Sequence, residues 1–184
     1  MIKNFAVRIE HGEKKGIKVS DGFFGEGSRI TTSANRCVLF NVLTNKLYID
    51  FNNLICADFC CGSGIVGFEL LSLGCKECTF VDCDKKKLKN IEEAIDRTKF
   101  NATTLYSYLP NYNLNKQFDI IFFDPPYNND FCQETIDMIL DNNILSKNGI
   151  LIVETKQVIN VEKYRVLDIK TLKNKAQFYF LSLK

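Results

Sequence analysis

A strand, glycine turn, helix and strand in the first half of the chain constrain its fold most strongly. Leu54–Phe59 is an apolar run of strand length. The turn after it has the spacing G-x-G-x-x-G, formed by Gly62, Gly64 and Gly67. An apolar helical pattern follows, and a second short strand ends at Asp82, twenty positions after the first glycine. Such glycines let the backbone approach a ligand, and an acid after the next strand can bind the hydroxyls of a ribose. The segment therefore predicts a βαβ unit with a nucleotide-like ligand.

The rest of the chain repeats the alternation of strand-like and helix-like patterns. The expected elements are a hairpin over 5–10 and 14–20, a helix from about 31 capped by Thr32 or Ser33, a helix over 85–99, strands over 103–108 and 118–124, a helix over 131–140, and strands over 149–154, 164–170 and 177–183. Strands that alternate with helices pair in parallel, whereas two successive strands form a hairpin. We therefore predict an α/β fold whose mostly parallel seven-stranded sheet ends in a C-terminal antiparallel hairpin, with a small N-terminal β-hairpin.

A second stretch, FDIIFFDPPY at 118–127, places an acid, two prolines and an aromatic ring at the end of a buried strand. Pro125 cannot donate to a strand ladder, so the strand must end there, and Pro126 fixes the next φ. The Asp124 carboxylate and the proline carbonyls would accept hydrogen bonds from an amino group. Tyr127 would stack on the base that carries this group. The alternative is an ordinary strand end followed by a turn.

Length and composition indicate one globular domain with a small appendage. The chain has 184 residues, 46% of them apolar, and no apolar run approaches the about 20 residues that span a bilayer. We place the appendage at residues 1–30 and the main domain at 31–184. Because the first ten residues lack an apolar block of signal-peptide length, we expect a cytoplasmic protein. We also expect a monomer.

The eight cysteines are predicted to be free thiols, because they lie inside strand-like and helix-like runs. Cys75 and Cys78 have the spacing of zinc ligands, and the adjacent cysteines at 60–61 are conceivable partners. A closed structural zinc site needs four convergent ligands, and the only histidine, His11, is far away in sequence. We therefore predict no metal site.

Basic side chains are concentrated near the N-terminus, although the net charge of the chain is only +2. Residues 1–36 contain seven basic side chains and four acidic ones. A basic appendage suits a phosphate backbone, although a small excess is more commonly a solvated face. The candidates for contact with nucleic acid are Arg8, Lys14, Lys15, Lys18, Arg29 and Arg36.

The glycine turn and Asp82 do not distinguish a nicotinamide dinucleotide from S-adenosylmethionine, because both classes of enzyme use this arrangement. Two other acids help to separate the classes. Asp58 lies four residues before Gly62, and Asp124 ends the fourth strand of the main domain. Both are expected at the carboxyl edge of the sheet, where open α/β sheets bind ligands. In a nicotinamide enzyme the Asp-Pro-Pro-Tyr corner would have no role.

Together these motifs resemble those of class I methyltransferases that modify exocyclic amino groups. The resemblance is carried by Asp58-Phe-Cys-Cys-Gly-Ser-Gly, by Val81-Asp82-Cys-Asp84 and by Asp124-Pro-Pro-Tyr127. The N-terminal part narrows the match. Val7-Arg8-Ile9, with the glycines and lysine that follow at 12, 16 and 18, and the segment RITTSANRCVLFNVL at 29–43 resemble the bacterial guanine-N2 methyltransferases of small-subunit ribosomal RNA. The resemblance covers nearly the whole chain.

This resemblance implies a Rossmann-like class I methyltransferase fold and S-adenosylmethionine as the cofactor. It also implies methyl transfer to the exocyclic N2 of a guanine. The implied catalytic residues are Asp124, Pro125, Pro126 and Tyr127. The implied cofactor-binding residues are Thr32, Asp58, Cys60, Gly62, Ser63, Gly64, Asp82, Cys83, Tyr106 and Ser107. The family has a polar Asn or Asp near the end of strand three, where this chain has Tyr106-Ser107-Tyr108, so the adenine end of the site is expected to differ.

The resemblance implies small-subunit ribosomal RNA, or an assembling small ribosomal subunit, as the partner, without a membrane. Two other classes of function stay open on the residues alone. One is an oxidoreductase with a nicotinamide cofactor, and the other is an RNA-binding protein that has the methyltransferase fold but no activity. Among methyltransferases, an N6-adenine or another amino-group acceptor is the alternative to guanine.

Overall fold

The computed structural model describes residues 6–20, 30–112, 115–126 and 131–184. Within these ranges the chain forms the following strands: β1 (Val7–Arg8), β2 (Lys18–Ser20), β3 (Ile55–Phe59), β4 (Glu77–Asp82), β5 (Ala102–Tyr106), β6 (Phe118–Phe123), β7 (Leu145–Thr155), β8 (Tyr164–Thr171) and β9 (Gln177–Leu183). The α-helices of the same ranges are α1 (Ser33–Asn41), α2 (Ile65–Ser72), α3 (Lys85–Thr98) and α4 (Phe131–Asp141). A π-helical turn, Val42–Lys46, extends α1.

The main sheet has seven strands in the order β5-β4-β3-β6-β7-β9-β8. The first five strands in this order pair in parallel, and β9 pairs antiparallel with both β7 and β8. Strands β1 and β2 form a separate antiparallel hairpin. The predicted fold class is therefore confirmed. The strand order reverses between β3 and β6, and ligands of open α/β sheets bind at such a switch point.

Apolar layers cover both faces of the sheet, as the mostly apolar sequences of β3 and β6 require. One buried cluster joins α1, α2 and α3 to one face, with Phe68 and Phe80 in contact at 4.8 Å between ring centroids. The other cluster joins α4 to the opposite face through Ile136 and Ile139. Because both faces are covered, only the ends of the strands are available to a ligand.

The turn between β3 and α2 explains the spacing of its glycines. Gly64 precedes the helix in the left-handed region, at φ +71°, which favours glycine. A Cβ on Gly67 would lie 2.4 Å from Cε1 of Phe80, so only glycine lets α2 approach β4 this closely. The turn therefore brings backbone amide groups to the edge of the sheet at the switch point.

Several boundaries differ from the predicted ones. β5 ends at Tyr106 and not at 108, because the Ser107 hydroxyl donates to the carbonyl of Asn111 at 2.9 Å and closes a loop. β7 begins at Leu145, ahead of the predicted start at 149, because Leu145 pairs with Phe118 before the register shifts.

The N-terminal hairpin packs against the helices on one face of the main sheet. Val7, Ile9 and Val19 are buried in the same cluster as the first three helices. The backbone amide of Glu13 donates to the carbonyl of Ser72 at 2.8 Å. The predicted division at residue 30 stays a prediction, since 1–5 and 21–29 lie outside the described residues. In the described part of the chain, every helix is too short or too polar to cross a membrane.

Candidate functional site

A narrow crevice lies at the carboxyl ends of β3 and β6, where the strand order reverses. Its lining residues are Thr31, Asp58, Cys60, Cys61, Gly62, Ser63, Ile65, Val66, Phe122 and Asp124. Half of these were predicted from the sequence as cofactor or catalytic residues, namely Asp58, Cys60, Gly62, Ser63 and Asp124. The register explains the convergence, because Phe59 of β3 is paired with Phe123 of β6 and the site residues flank this pair.

Asp58 lies at the bottom of the crevice, where it is only 2% exposed. Its Oδ2 accepts a hydrogen bond from the backbone amide of Gly67 at 3.0 Å, which ties β3 to α2. Burial raises the pKa of the Asp58 carboxyl well above its usual range, and the charges of Asp124 and Asp82 raise it further. Asp58 is therefore protonated more readily than an exposed carboxyl group.

Asp82, at the end of β4, fixes the glycine turn. Its Oδ2 accepts from the amide of Gly62 at 2.9 Å, and its Oδ1 accepts from the amide of Asp84 at 3.0 Å. The ammonium of Lys87 lies 4.0 Å from Oδ2. An ionised carboxyl group has about four acceptor sites, so capacity for the hydroxyls of a ribose remains. Cys83, the predicted neighbour, is exposed.

A second cavity, of about 330 Å³, lies beyond the end of β5 and is lined by Leu105, Tyr106, Ser107, Tyr108 and Asn111. The hydroxyls of Tyr106 and Tyr108 are hydrogen-bonded at 3.0 Å. The ammonium of Lys85 lies 4.8 Å from the centre of the Tyr106 ring. The amide of Ser107 donates to the Asp82 carbonyl at 3.1 Å, which places this cavity next to Asp82. Tyr106 and Ser107 are thus beside the predicted ribose position, while Tyr108 and Asn111 were not predicted.

The acid-proline corner lies at the end of β6, as the sequence predicts. The amide of Asp124 lies 3.4 Å from the carbonyl of Phe59 and donates to it, which holds the corner against β3. Pro125 is buried and Pro126 is exposed. Tyr127 lies outside the described residues, so its predicted stacking role stays a prediction.

A third cavity, of about 230 Å³, is also lined by Asp124. Its lining residues are Ile30, Thr31, Thr32, Asn35, Asp124, Glu154 and Asn174. Thr31 and Asp124 line both this cavity and the crevice, so the two spaces share a wall. We call it the acceptor cavity, after the base with an amino group that the sequence analysis expects beside Asp124. Thr32 lines it, whereas the sequence analysis placed Thr32 beside the cofactor. Thr32 also caps α1, because its hydroxyl accepts from the Asn35 amide at 3.2 Å.

Besides Thr31, three polar residues of the acceptor cavity were not predicted. Glu154 is at the end of a strand predicted from its apolar pattern, so the convergence of strand ends at one edge could have identified it. Asn35 lies in the first turn of α1, and Asn174 lies between β8 and β9. Their positions depend on how distant elements pack, and no local pattern marks them.

The predicted basic residues separate into different environments. Arg8 and Lys15 are exposed, and Lys18 is partly buried. The ammonium of Lys14 donates to the Thr98 carbonyl and lies 4.3 Å from the centre of the Phe100 ring, so this residue holds the hairpin on α3. Arg29 lies outside the described residues.

The prediction that Arg36 contacts RNA is corrected by the structure, because Arg36 is only 4% exposed. Its guanidinium forms ion pairs with Glu69 at 3.2 Å and with Glu10 at 2.9 Å. It also donates to the Thr31 carbonyl at 2.7 Å. A charge that is neutralised inside the protein is not available to phosphates. Arg36 therefore supports Thr31, which lines both the crevice and the acceptor cavity.

The eight cysteines are free thiols, as predicted. Burial raises the pKa of the Cys61 thiol well above its usual range, and Asp58 and Asp82 add to the effect. Burial also raises the pKa of the Cys60 thiol, and the charge of Asp82 raises it further. Both line the crevice as neutral groups. Within the described ranges, no group of three or more histidine, cysteine or acidic side chains has an arrangement suited to a metal ion.

Comparisons with known proteins identify a family and several relatives of this chain. The family model described as "Conserved hypothetical protein 95" matches residues 7–180. "Ribosomal RNA small subunit methyltransferase D" of Buchnera aphidicola subsp. Acyrthosiphon pisum is 33% identical over 184 residues, covering 96% of this chain and 93% of that protein.

Solved structures share the fold over almost the entire length. The Escherichia coli protein yhhF has a TM-score of 0.82 and 23% identity, with 98% of this chain and 99% of that chain covered. A Thermus thermophilus 16S rRNA N2 G1207 methyltransferase, in complex with AdoMet and guanosine, has a TM-score of 0.67 and 17% identity. That match covers 89% of this chain and 46% of the Thermus chain.

Proposed function

The chain belongs to the family of class I methyltransferases of small-subunit ribosomal RNA, and we propose that it methylates the exocyclic N2 of a guanine in that RNA. S-adenosylmethionine is the cofactor of this family, and its bound sulfonium supplies an electrophilic methyl group. The single observation that carries the proposal is the shared wall between the crevice and the acceptor cavity. Asp124 belongs to that wall, which supports our proposal that it lies between the cofactor and the acceptor base.

The residues of the crevice, Asp82 beside it and the cavity at the end of β5 together suit S-adenosylmethionine. The glycine turn has no side chains at the positions where a ligand must approach the backbone, and Asp82 has acceptor capacity for ribose hydroxyls. The tyrosines at 106 and 108 offer aromatic surface to an adenine. We assign Asp58, Cys60, Gly62, Ser63 and Gly64 to the same cofactor surface.

The acid-proline corner suits an amino group as the acceptor. The exocyclic amine of a base is a poor nucleophile, because its lone pair is delocalised into the ring. Hydrogen bonds from its two N–H groups to the Asp124 carboxylate and the Pro125 carbonyl favour the pyramidal form, whose lone pair is available. Asp124 and Pro125 would thereby orient the lone pair toward the methyl group that the bound cofactor would supply, and such positioning contributes to the rate of transfer.

The acceptor cavity has a size suited to one extruded base. Its volume of about 230 Å³ is below the about 300–1,000 Å³ of pockets for drug-sized ligands. The base of a structured RNA reaches such a cavity only after it leaves its stack, which costs a few kcal/mol. Arg8, Lys15 and Lys18 of the hairpin are the basic residues that we propose for the surrounding phosphates.

Transfer of a labelled methyl group to small-subunit ribosomal RNA tests the proposal. Asp124→Ala should lower the turnover number by about 10²–10³, because a positioned hydrogen-bond partner of the transition state is lost. Its affinity for S-adenosylmethionine, measured by calorimetry, should stay close to that of the wild type. Wild-type turnover by Asp124→Ala would mean that the corner is only a turn.

Asp124→Asn separates positioning from proton transfer. The amide keeps one acceptor oxygen but cannot take a proton. Substantial residual turnover indicates that Asp124 positions the amine, and turnover as low as that of Asp124→Ala indicates a general base. Asp141→Ala, which removes an exposed carboxylate at the end of α4, is the matched control and should leave turnover unchanged.

A further inference from the structure

We infer that Glu154 selects guanine over the other amino-bearing bases, by accepting a hydrogen bond from the guanine N1–H. This inference rests on the proposed function, since it concerns the base that enters the acceptor cavity. It adds a specificity-determining residue to the acid-proline corner, which by itself suits the amino group of any base.

The sheet register places Glu154 beside Asp124. Phe123 of β6 is paired with Val153 of β7, and the next residues along these parallel strands are Asp124 and Glu154. Neighbouring strands lie about 4.8 Å apart, and both side chains line the acceptor cavity. The two carboxylates therefore face one bound base at neighbouring positions, with Asp124 on the side of the crevice.

The surroundings of Glu154 hold it in place. Glu154 is only 3% exposed, and the side-chain amide of Asn35 donates to its Oε1 at 3.5 Å. Asn174 is a further polar residue that lines the cavity. Because a buried carboxylate requires hydrogen-bond donors, a base that presents an acceptor at this position binds with a penalty.

The bases differ at the Watson–Crick ring nitrogen next to the amino group. In guanine, the N2 amino group is adjacent to the N1–H, which is a donor. In adenine and cytosine, the ring nitrogen beside the amino group carries a lone pair and is an acceptor. In its ionised form, the Glu154 carboxyl group only accepts hydrogen bonds, and this form favours guanine and opposes the other two bases. A site built to hydrogen-bond one group discriminates strongly against an analogue that lacks it.

The test uses RNA in which the modified guanine, once located with the wild-type enzyme, is replaced by 2-aminopurine. This analogue keeps the N2 amino group but has an acceptor at N1. The wild type should prefer guanine by at least about a hundredfold in kcat/KM. Glu154→Gln should lower this preference at least about tenfold, because the glutamine amide can donate to N1 of the analogue. Glu162→Gln, an exposed matched control, should keep the wild-type preference.

The inference and the proposed function fail separately. If the wild type methylates no guanine N2, the proposed function is wrong. If it does so and accepts 2-aminopurine equally well, Glu154 does not select guanine, and this result needs no variant. An unchanged preference in a Glu154→Gln protein with wild-type affinity for S-adenosylmethionine would also overturn the inference. If Glu154→Gln loses both the preference for guanine and the affinity for S-adenosylmethionine, the inference is also overturned. Such a result would indicate that the substitution disrupts the whole site.

Discussion

Replacing Glu69 with glutamine should destabilise the protein more than any exposed acid-to-amide change. The Glu69 side chain is completely buried and accepts four hydrogen bonds. Oε1 accepts from the Glu10 amide at 2.9 Å and from the Arg36 guanidinium at 3.2 Å. Oε2 accepts from the His11 amide at 2.8 Å and pairs with the His11 ring Nδ1 at 3.1 Å. One carboxylate therefore joins α2 to α1 and to the N-terminal hairpin.

The magnitude follows from what glutamine cannot do. Its amide nitrogen would face hydrogen-bond donors, so about two of the four contacts are lost. Hydrogen bonds to a charged group contribute about 1.5–3 kcal/mol each, and breaking a buried ion pair costs about 3–5 kcal/mol. We expect Glu69→Gln to lower the free energy of unfolding by about 3–5 kcal/mol. For a chain of this size, the melting temperature should fall by about 6–20 °C.

Urea unfolding of the wild type and the variant measures this loss. Glu162→Gln is the exposed control, and its free energy of unfolding should stay within about 0.5 kcal/mol of the wild type. Hydrogen exchange of the Glu10 and His11 amides should accelerate in Glu69→Gln, because both donate to Glu69. A loss below about 1 kcal/mol, with unchanged exchange at these amides, would refute the view that Glu69 holds the hairpin on the main domain.

Three further variants test the site and its surface. Asp82→Ala should weaken S-adenosylmethionine binding by about 1.5–3 kcal/mol for each lost hydrogen bond; unchanged affinity of the folded variant in calorimetry would contradict the ribose assignment. Burial raises the pKa of Asp58 above its unfolded value, so the folded state retains a proton that the unfolded state loses and stability falls as the pH rises above about 4. Asp58→Asn should flatten this fall and be more stable than the wild type at pH 7; parallel pH profiles in urea unfolding would contradict this. Lys15→Ala should reduce the slope of log affinity for RNA against log salt concentration by about 0.7–0.9, whereas Lys163→Ala beside α4 should not; equal slopes would mean that the hairpin is only a solvated face.

The parts of the site that the sequence predicts are those fixed by local chemistry. Strand periodicity, the glycine spacing and the two prolines each determine the backbone within a few residues. In a parallel sheet, these local features suffice to place Asp58, Asp82 and Asp124 at one edge. Gly67 is an example. It lies three residues after Gly64, at the point where α2 touches Phe80 of the neighbouring strand.

The rest depends on contacts between distant segments. Arg36 has the sequence environment of a surface helix, and its burial follows from Glu69, which lies 33 positions later. Asn174 reaches the acceptor cavity only because β9 returns beside β7. Neither the periodicity of α1 nor the turn before β9 contains this information. The short strand β5 departs from the pattern for a similar reason, since the Ser107 hydroxyl bonds to Asn111 in the following loop.

The identity of the modified base is the most direct measure of the central claim. Small-subunit ribosomal RNA should be incubated with the protein and S-adenosylmethionine, digested to nucleosides and separated by chromatography with mass detection. The geometry of the acid-proline corner and the acceptor cavity predicts that the product is N2-methylguanosine and that it forms only with active enzyme. Asp124→Ala should lower its rate of formation by about 10²–10³. A product that is N6-methyladenosine, or no methylated nucleoside under conditions in which the cofactor binds, would contradict the claim.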